Sequence, residues 1–118
     1  MEKFSIGLPL TGEYLTTVRL TTGGLCALVG FDMDSAEDYK VCVTESLLIL
    51  KRNGFARARI EFVVGQQLSC ELIGEDATCE RGDELEDEIS RALLGALLGE
   101  VEFDKNANGV VERIFFRG

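Results

Sequence analysis

Residues 34–53, DSAEDYKVCVTESLLILKRN, constrain the fold most, because they predict one helix with a single charged residue inside an apolar stripe. The charged residue is Glu45, and its neighbours three or four positions away are Cys42, Leu48 and Ile49. Helical spacing puts residues at these intervals on one face. A carboxylate on an apolar face is either paired, protonated more readily than usual, or engaged in chemistry. Glu45 is therefore the first candidate functional residue.

The segment before this helix predicts one strand and one further helix. Apolar side chains alternate over residues 4–10, which is the period of a half-buried strand. A first helix is then predicted up to Gly30, with the hydroxyl of Thr11 as its N-cap. Glycines 23 and 24 within it predict a kink or a close approach to another helix. The apolar residues at helical spacing are Tyr14, Leu15, Val18, Leu25, Leu28 and Val29.

The middle of the chain predicts a hairpin. Asp34 or Ser35 is predicted to cap the second helix, and Asn53-Gly54 is a stop and turn signal at its end. Alternating apolar residues predict strands over 58–64 and 68–73, joined by a turn at residues 65–67. The two strands are expected to pair antiparallel.

An acidic loop is predicted from Gly74 onward, leading into a third helix. The acidic residues are Glu75, Asp76, Glu80, Asp83, Glu84, Glu86, Asp87 and Glu88. Two interpretations stay open: a solvated loop with a helix N-terminus, or a site for a basic partner. The helical period continues through Leu85, Ile89, Leu93, Ala96 and Leu97, and Gly99 is the predicted helix end. A last hairpin is predicted from residues 101–103 and 111–116.

This order of elements predicts an α+β fold. We expect a two-layer sandwich in which one mixed, mainly antiparallel sheet of about five strands is covered on one face by three helices. The chain has 118 residues, of which 46% are hydrophobic. This length favours a single domain over residues 1–118.

Charge and length argue against several classes of function. A net charge of −9 without histidine disfavours nucleic acid, which is bound by clustered lysine and arginine. No segment approaches the roughly 18 unbroken apolar residues of a membrane span, and the N-terminus lacks the features of a signal peptide. A cytoplasmic protein with no membrane or nucleic-acid partner is expected.

The four cysteines, Cys26, Cys42, Cys70 and Cys79, do not match a metal or redox motif. They contain no C-x-x-C pair, and the sequence has no histidine to complete a zinc site. We predict buried, reduced thiols. The alternative is a disulfide or a redox-sensing thiol.

Several local runs resemble the anti-sigma-factor serine kinases of the GHKL ATPase superfamily, the RsbW and SpoIIAB type with a histidine-kinase-like fold. The similar runs are Glu13 to Leu15, Val18 to Leu20, Gly24 to Phe31, Ala36 to Lys40 and Val43 to Glu45. The tail from Leu93 to Phe116 follows the last helix and closing hairpin of that family in length. The resemblance implies a bacterial regulator of transcription in stress or sporulation signalling.

The resemblance gives Glu45 a specific role. In that family the second helix carries the motif E-x-x-x-N, whose glutamate is the general base and whose asparagine holds Mg²⁺. Glu45 matches the glutamate, whereas Ile49 replaces the expected asparagine and cannot ligate a hard cation. Glu45 is then either a residual catalytic base or a helix glutamate that reaches lysine, arginine or solvent at a pocket rim.

The other nucleotide motifs of the family are degenerate here. The D-x-G-x-G turn should follow the strand near Ile73, and Asp76 is the aspartate that stands there, without the glycines. The glycine-rich lid is also missing, with Glu88 and Ser90 at the positions aligned to its glycines. The resemblance thus implies the ATPase fold with its lid lost.

Two functions follow from the resemblance. The first is an anti-sigma regulatory protein that binds a sigma factor, an anti-sigma antagonist or both, as a possible homodimer, without ATP chemistry. The second is an ATP-dependent serine/threonine kinase that uses ATP and Mg²⁺. A structural domain without a signalling partner is a third reading. The family's partner surface on the first helix maps to Glu13, Tyr14, Thr17 and Arg19.

Overall fold

The computed structural model describes residues 1–78, 82 and 84–118. The elements are β1 (Glu2–Pro9), a 3₁₀ turn (Gly12–Tyr14), α1 (Leu15–Val29), α2 (Met33–Arg52), β2 (Phe55–Val64), β3 (Leu68–Ala77), α3 (Glu84–Leu98), β4 (Val101–Lys105) and β5 (Val111–Arg117). Within the described ranges, no helix combines the length and apolar composition needed to cross a membrane.

The five strands form one antiparallel sheet in the order β1-β2-β3-β5-β4. Alternate residues of the three central strands are buried on one face, as the strand period requires. These residues are Ala58, Ile60, Phe62, Leu68, Cys70, Leu72, Ile114 and Phe116. On the other face, Arg57 and Arg59 of β2 are exposed. The predicted α+β sandwich is confirmed, and the sheet is entirely antiparallel within the described residues.

Helix α2 packs on this buried face and contacts β2, β3 and β5 as well as both other helices. Its N-cap is Asp32, whose carboxylate accepts a hydrogen bond of 2.7 Å from the backbone N–H of Ser35. The prediction of Asp34 or Ser35 as the cap was wrong. Asp32 has the extended backbone that an N-cap needs, whereas Asp34 and Ser35 already lie within the helix.

Helix α1 differs from the prediction at Thr11 and at Leu28. The hydroxyl of Thr11 donates to the carboxylate of Glu13 and does not cap the helix. The helix continues through its two glycines; a Cβ added to Gly23 would lie at an ordinary contact distance of 3.5 Å from the Lys40 side chain of α2, and one added to Gly24 would have no atom within 4 Å. Leu28 is 74% exposed and does not belong to the buried stripe.

Strand β3 extends beyond its predicted end. Ala77 pairs with Phe55 of β2, so Glu75 and Asp76 belong to the strand and not to a loop. The ring of Phe55 covers Gly74 so closely that a Cβ at this position would overlap it. The predictions made for Cys79, Glu80, Arg81 and Asp83 lie outside the described residues.

Helix α3 is present as predicted, but most of its apolar period faces solvent, and of the predicted residues only Leu97 packs against the core. Leu85 is 64% exposed, Ile89 60% and Leu93 36%, whereas Asp87, Ser90 and Leu94 are buried. The helix ends before Gly99, which has a positive φ of 81°. The last hairpin, formed by β4 and β5, is confirmed.

The described cysteines predict slow thiol chemistry in the native protein. Cys26, Cys42 and Cys70 are free and buried, and burial raises the pKa of Cys42 to about 12. A raised pKa keeps the thiol protonated near pH 8, and burial blocks the reagent. In a Cys79→Ser variant, native protein at pH 8 should react with an aromatic disulfide reagent much more slowly than protein in guanidinium. Rapid native labelling of any of the three would contradict burial.

Candidate functional site

The Glu45 side chain lies at the interface between α2 and α3. Its carboxylate oxygen Oε2 accepts a hydrogen bond of 2.7 Å from the hydroxyl of Ser90, a residue that is only 4% exposed. The sequence left the Glu45 carboxylate as paired, more readily protonated or engaged in chemistry, and the structure shows it paired with Ser90. Ser90 is one of the two positions that the sequence resemblance aligned with the lid glycines, and in the structure its hydroxyl is the hydrogen-bond donor to Glu45.

Arg52 completes a bridge between the two helices. Its guanidinium donates from Nη1 to the hydroxyl oxygen of Ser90 at 2.7 Å. The same Nη1 lies 3.4 Å from the backbone oxygen of Glu86, and Nε lies 3.5 Å from the Glu86 carboxylate. Ser90 therefore accepts from Arg52 and donates to Glu45. We call this arrangement the Glu45–Ser90–Arg52 bridge.

Asn53 forms a second polar connection, at the end of α2. Its amide nitrogen donates to the backbone oxygen of Ile49 at 2.8 Å and lies 3.4 Å from the carboxylate of Asp87. Its amide oxygen accepts from the backbone N–H of Val111 at 3.0 Å. The sequence pattern predicted only a helix stop and a turn at Asn53. Its spacing of four residues from Ile49 and eight from Glu45 was the signal that it shares their helix face.

The position expected to hold Mg²⁺ belongs to the core. The side chain of Ile49 is completely buried and offers no oxygen ligand. Among the described residues, no group of three or more His, Cys, Asp or Glu side chains is arranged to hold a metal ion. The hydrogen-bond partner of Glu45 is a serine hydroxyl that itself accepts from a guanidinium, and an arginine beside the site does not fit bound Mg²⁺.

Asp76 is not brought into hydrogen-bonding contact with Glu45 in the part of the chain that the structure describes. It is exposed near the end of β3 and has a positive φ of 55°. Two residues later, Thr78 donates from its backbone and its hydroxyl to the carbonyl of Gly54, at 2.5 and 2.8 Å. The segment at the D-x-G-x-G position is thus held by the turn between α2 and β2.

An open groove of about 580 Å³ lies beside the C-terminal half of α2. Its lining residues include Leu48, Lys51, Arg52, Phe55 and Thr78. Glu45 does not line this groove. A molecule seated there would contact the end of α2 and not the candidate base.

The four candidates for partner binding on the first helical segment are all exposed. Glu13 and Tyr14 lie in the 3₁₀ turn, and Thr17 and Arg19 lie in α1. The Tyr14 side chain is 42% exposed. These residues are therefore accessible to another protein.

Comparison with known proteins gives a partial match. No protein-family model matches the chain. Serine-protein kinases RsbW from Bacillus thuringiensis (strain Al Hakam), Bacillus mycoides (strain KBAB4) and Bacillus cereus (strain B4264) are each 36% identical to it over 45 residues. The match covers 38% of this chain and spans 28% of the length of these curated relatives. Part of the chain is thus similar to part of the serine-protein kinase RsbW.

The bridge predicts that Ser90→Ala lowers the free energy of unfolding by about 1–2 kcal/mol, because it leaves the Glu45 carboxylate and the Arg52 guanidinium without their shared partner. Urea denaturation measures the change. Thr44→Ala is the matched control: its hydroxyl bonds to the Lys40 carbonyl within α2 and joins no second helix. An equal or smaller loss in Ser90→Ala than in Thr44→Ala would contradict the bridge.

A double-mutant cycle with Glu45→Ala and Ser90→Ala tests the contact itself. Residues that share a hydrogen bond show non-additive effects, so we expect a coupling energy of about 0.5–1 kcal/mol. The cycle of Glu45→Ala with Thr44→Ala supplies the reference. Additive losses of unfolding free energy in both cycles would contradict the Glu45–Ser90 hydrogen bond.

Proposed function

We propose that this chain is an anti-sigma regulatory protein that acts in the cytoplasm by binding other proteins, without ATP chemistry. The observation that carries the proposal is the Glu45–Ser90–Arg52 bridge, which engages the candidate base with α3. The partial similarity to RsbW kinases supports the anti-sigma role. In this proposal the chain keeps the ATPase-like scaffold and regulates transcription through partner exchange.

The chemistry of the site favours binding over catalysis. A general base needs the proton of its substrate within hydrogen-bond reach, and the Glu45 carboxylate is already within 2.7 Å of the Ser90 hydroxyl. Mg²⁺ needs oxygen ligands, whereas Ile49 is an alkyl side chain in the core. The groove beside α2 does not include Glu45. Phosphoryl transfer depends on positioning the substrate and neutralising its charge, and neither condition is favoured here.

The partners we propose are a sigma factor, an anti-sigma antagonist, or both, with a homodimer as a possible assembly. The exposed residues of this surface supply one carboxylate, one phenol, one hydroxyl and one guanidinium for recognition, from Glu13, Tyr14, Thr17 and Arg19. Tyrosine and arginine are enriched among the residues that dominate binding energies at protein interfaces. We therefore place the partner surface at the 3₁₀ turn and the start of α1.

Isothermal titration calorimetry with Mg-ATP and with Mg-ADP tests the absence of nucleotide chemistry. We expect no saturable heat at micromolar nucleotide, because the site offers no metal ligand at Ile49 and Glu45 is paired. Saturable micromolar binding would contradict the proposal. It would favour the second candidate function, the ATP-dependent serine/threonine kinase.

Two points favour that second candidate: the sequence resemblance aligns Glu45 with the catalytic base, and part of the chain is similar to RsbW kinases. If nucleotide binds, Glu45→Ala should abolish phosphate transfer to the antagonist and leave nucleotide binding largely intact. Unchanged transfer in this variant would remove Glu45 from a catalytic role.

Tyr14→Ala and Arg19→Ala test the proposed partner surface. We expect each to weaken binding to a sigma factor or antagonist from the same genome by about tenfold or more, as measured by biolayer interferometry. Arg59→Ala is the control, because Arg59 is exposed on the opposite face of the sheet. If the parent chain binds no tested sigma factor or antagonist, the result would favour the third interpretation, a structural domain without a signalling partner.

A further inference from the structure

Helix α3 carries an exposed apolar surface that the proposed function does not use. The side chains of Leu85, Ile89 and Leu93 are 64%, 60% and 36% exposed. With the exposed Ala92 and Ala96 they follow the spacing of one helix face. We call these residues the α3 outer stripe: Leu85, Ile89, Ala92, Leu93 and Ala96. Exposed apolar side chains grouped on one helix face differ from the single scattered ones usual on a monomer, and such groups are typical of interaction sites.

The opposite face of α3 makes hydrogen bonds and core contacts with the rest of the protein. These contacts oppose any rotation of the helix that would bury the stripe. Ser90 binds Glu45 and Arg52 within the bridge. Asp87 lies beside the Asn53 amide and pairs with Arg91 at 3.1 Å. Leu94 is fully buried in the core. The outer stripe is therefore a stable feature of the folded protein.

The charges along α3 are arranged around the stripe. At about 100° per residue, Glu86 lies along one edge of the stripe and Glu88 along the other, with Glu84 next to Glu88. The Glu86 side chain is 63% exposed even with Arg52 near it. The only basic residue of α3 is Arg91, which lies toward the inner face and pairs with Asp87. The N-terminal half of the stripe is thus bordered by carboxylates on both sides.

We propose that the α3 outer stripe docks an amphipathic helix of a protein partner whose apolar residues are flanked by lysine or arginine. Amphipathic helices bind through apolar anchors at helical spacing, and complementary edge charges set their orientation. A membrane with anionic lipids and a nucleic acid would both be repelled by the same carboxylates. A second copy of this chain would offer no lysine or arginine of its own α3 at the stripe edges, because Arg91 is paired with Asp87. This surface is separate from the α1 residues proposed above and does not depend on them.

Fluorescence anisotropy with the full chain tests the proposal. The probe is a labelled helical peptide of about 18 residues, built from leucine on one face and lysine on the others. A peptide with glutamate in place of lysine is the matched control. We expect saturable micromolar binding of the lysine peptide, weakened by added salt, and no saturable binding of the glutamate peptide.

Two sets of variants locate the binding surface. Leu85→Ser combined with Ile89→Ser should weaken peptide binding by about tenfold or more, because it removes the exposed anchors. Leu20→Ser combined with Leu28→Ser is the control, since each of these α1 leucines is 74% exposed, and it should leave the affinity unchanged. Glu84→Gln combined with Glu88→Gln keeps the apolar surface and should weaken binding at low salt with a smaller salt dependence. Circular dichroism checks that each variant is folded, and the glutamine pair keeps the test valid if the serine pair unfolds.

Three results of the peptide titrations would overturn the proposal: no saturable binding of the lysine peptide, equal binding of the glutamate peptide, or an affinity that is unchanged in both the serine and glutamine pairs. Sedimentation equilibrium tests the remaining possible occupant of the stripe, a second copy of this chain. A dimer of the parent chain that is lost in the serine pair and kept in the α1 control would make a second copy the occupant and would also overturn it. Loss of partner binding in Tyr14→Ala with unchanged peptide binding would separate the two surfaces.

Discussion

The structure depends on the burial of α2, which packs against the sheet and against both other helices. Its inner residues Cys42, Val43, Leu47, Ile49 and Leu50 are at most 1% exposed. Tyr39 adds a directional contact, because its hydroxyl donates to the Leu68 carbonyl at 2.8 Å while its ring meets Phe31 and Phe116 edge-on. Burial of this many apolar side chains is the main favourable term in folding a domain of this size. Because α2 is held so firmly, the side chains on its remaining faces have defined positions.

The orientation of α3 follows from those positions. Glu45, Arg52 and Asn53 present polar groups along α2, and a buried polar group is costly unless it is paired. Ser90 and Asp87 satisfy that requirement only when the polar side of α3 faces inward. The same rotation turns Leu85, Ile89 and Leu93 toward solvent. The paired base and the exposed apolar stripe are thus two consequences of one packing arrangement.

In the proposals made above, the three helices have different roles. Helix α2 is the scaffold, and α1 and α3 both pack against it. Helix α1 presents polar and aromatic groups near its start, whereas α3 presents an apolar stripe with acidic edges. With a net charge of −9, basic protein surfaces are the favoured partners. In these proposals, the α1 surface and the α3 outer stripe would bind two partners on one scaffold, so coupling between the partners would need no phosphoryl transfer.

Most of the fold followed from local patterns, because strand alternation and helical spacing are properties of neighbouring residues. These patterns placed the strands, the three helices and the turn at Asn53-Gly54, and the caps and ends were the parts that shifted by a few residues. The importance of Glu45 also came from its spacing on α2. The sequence by itself therefore determined the class of fold and the helix on which the candidate site is built.

Which face of α3 is buried was decided only by tertiary structure. Leu85, Ile89 and Leu93 carry a helical apolar period, and the sequence alone cannot reveal that Ser90 and Asp87 have polar partners on another helix some 35–45 residues earlier in the chain. The free energy of satisfying those buried groups is set by contacts between elements distant in sequence. For the same reason, the pairing of Glu45 with Ser90 became visible only when α2 and α3 were packed together.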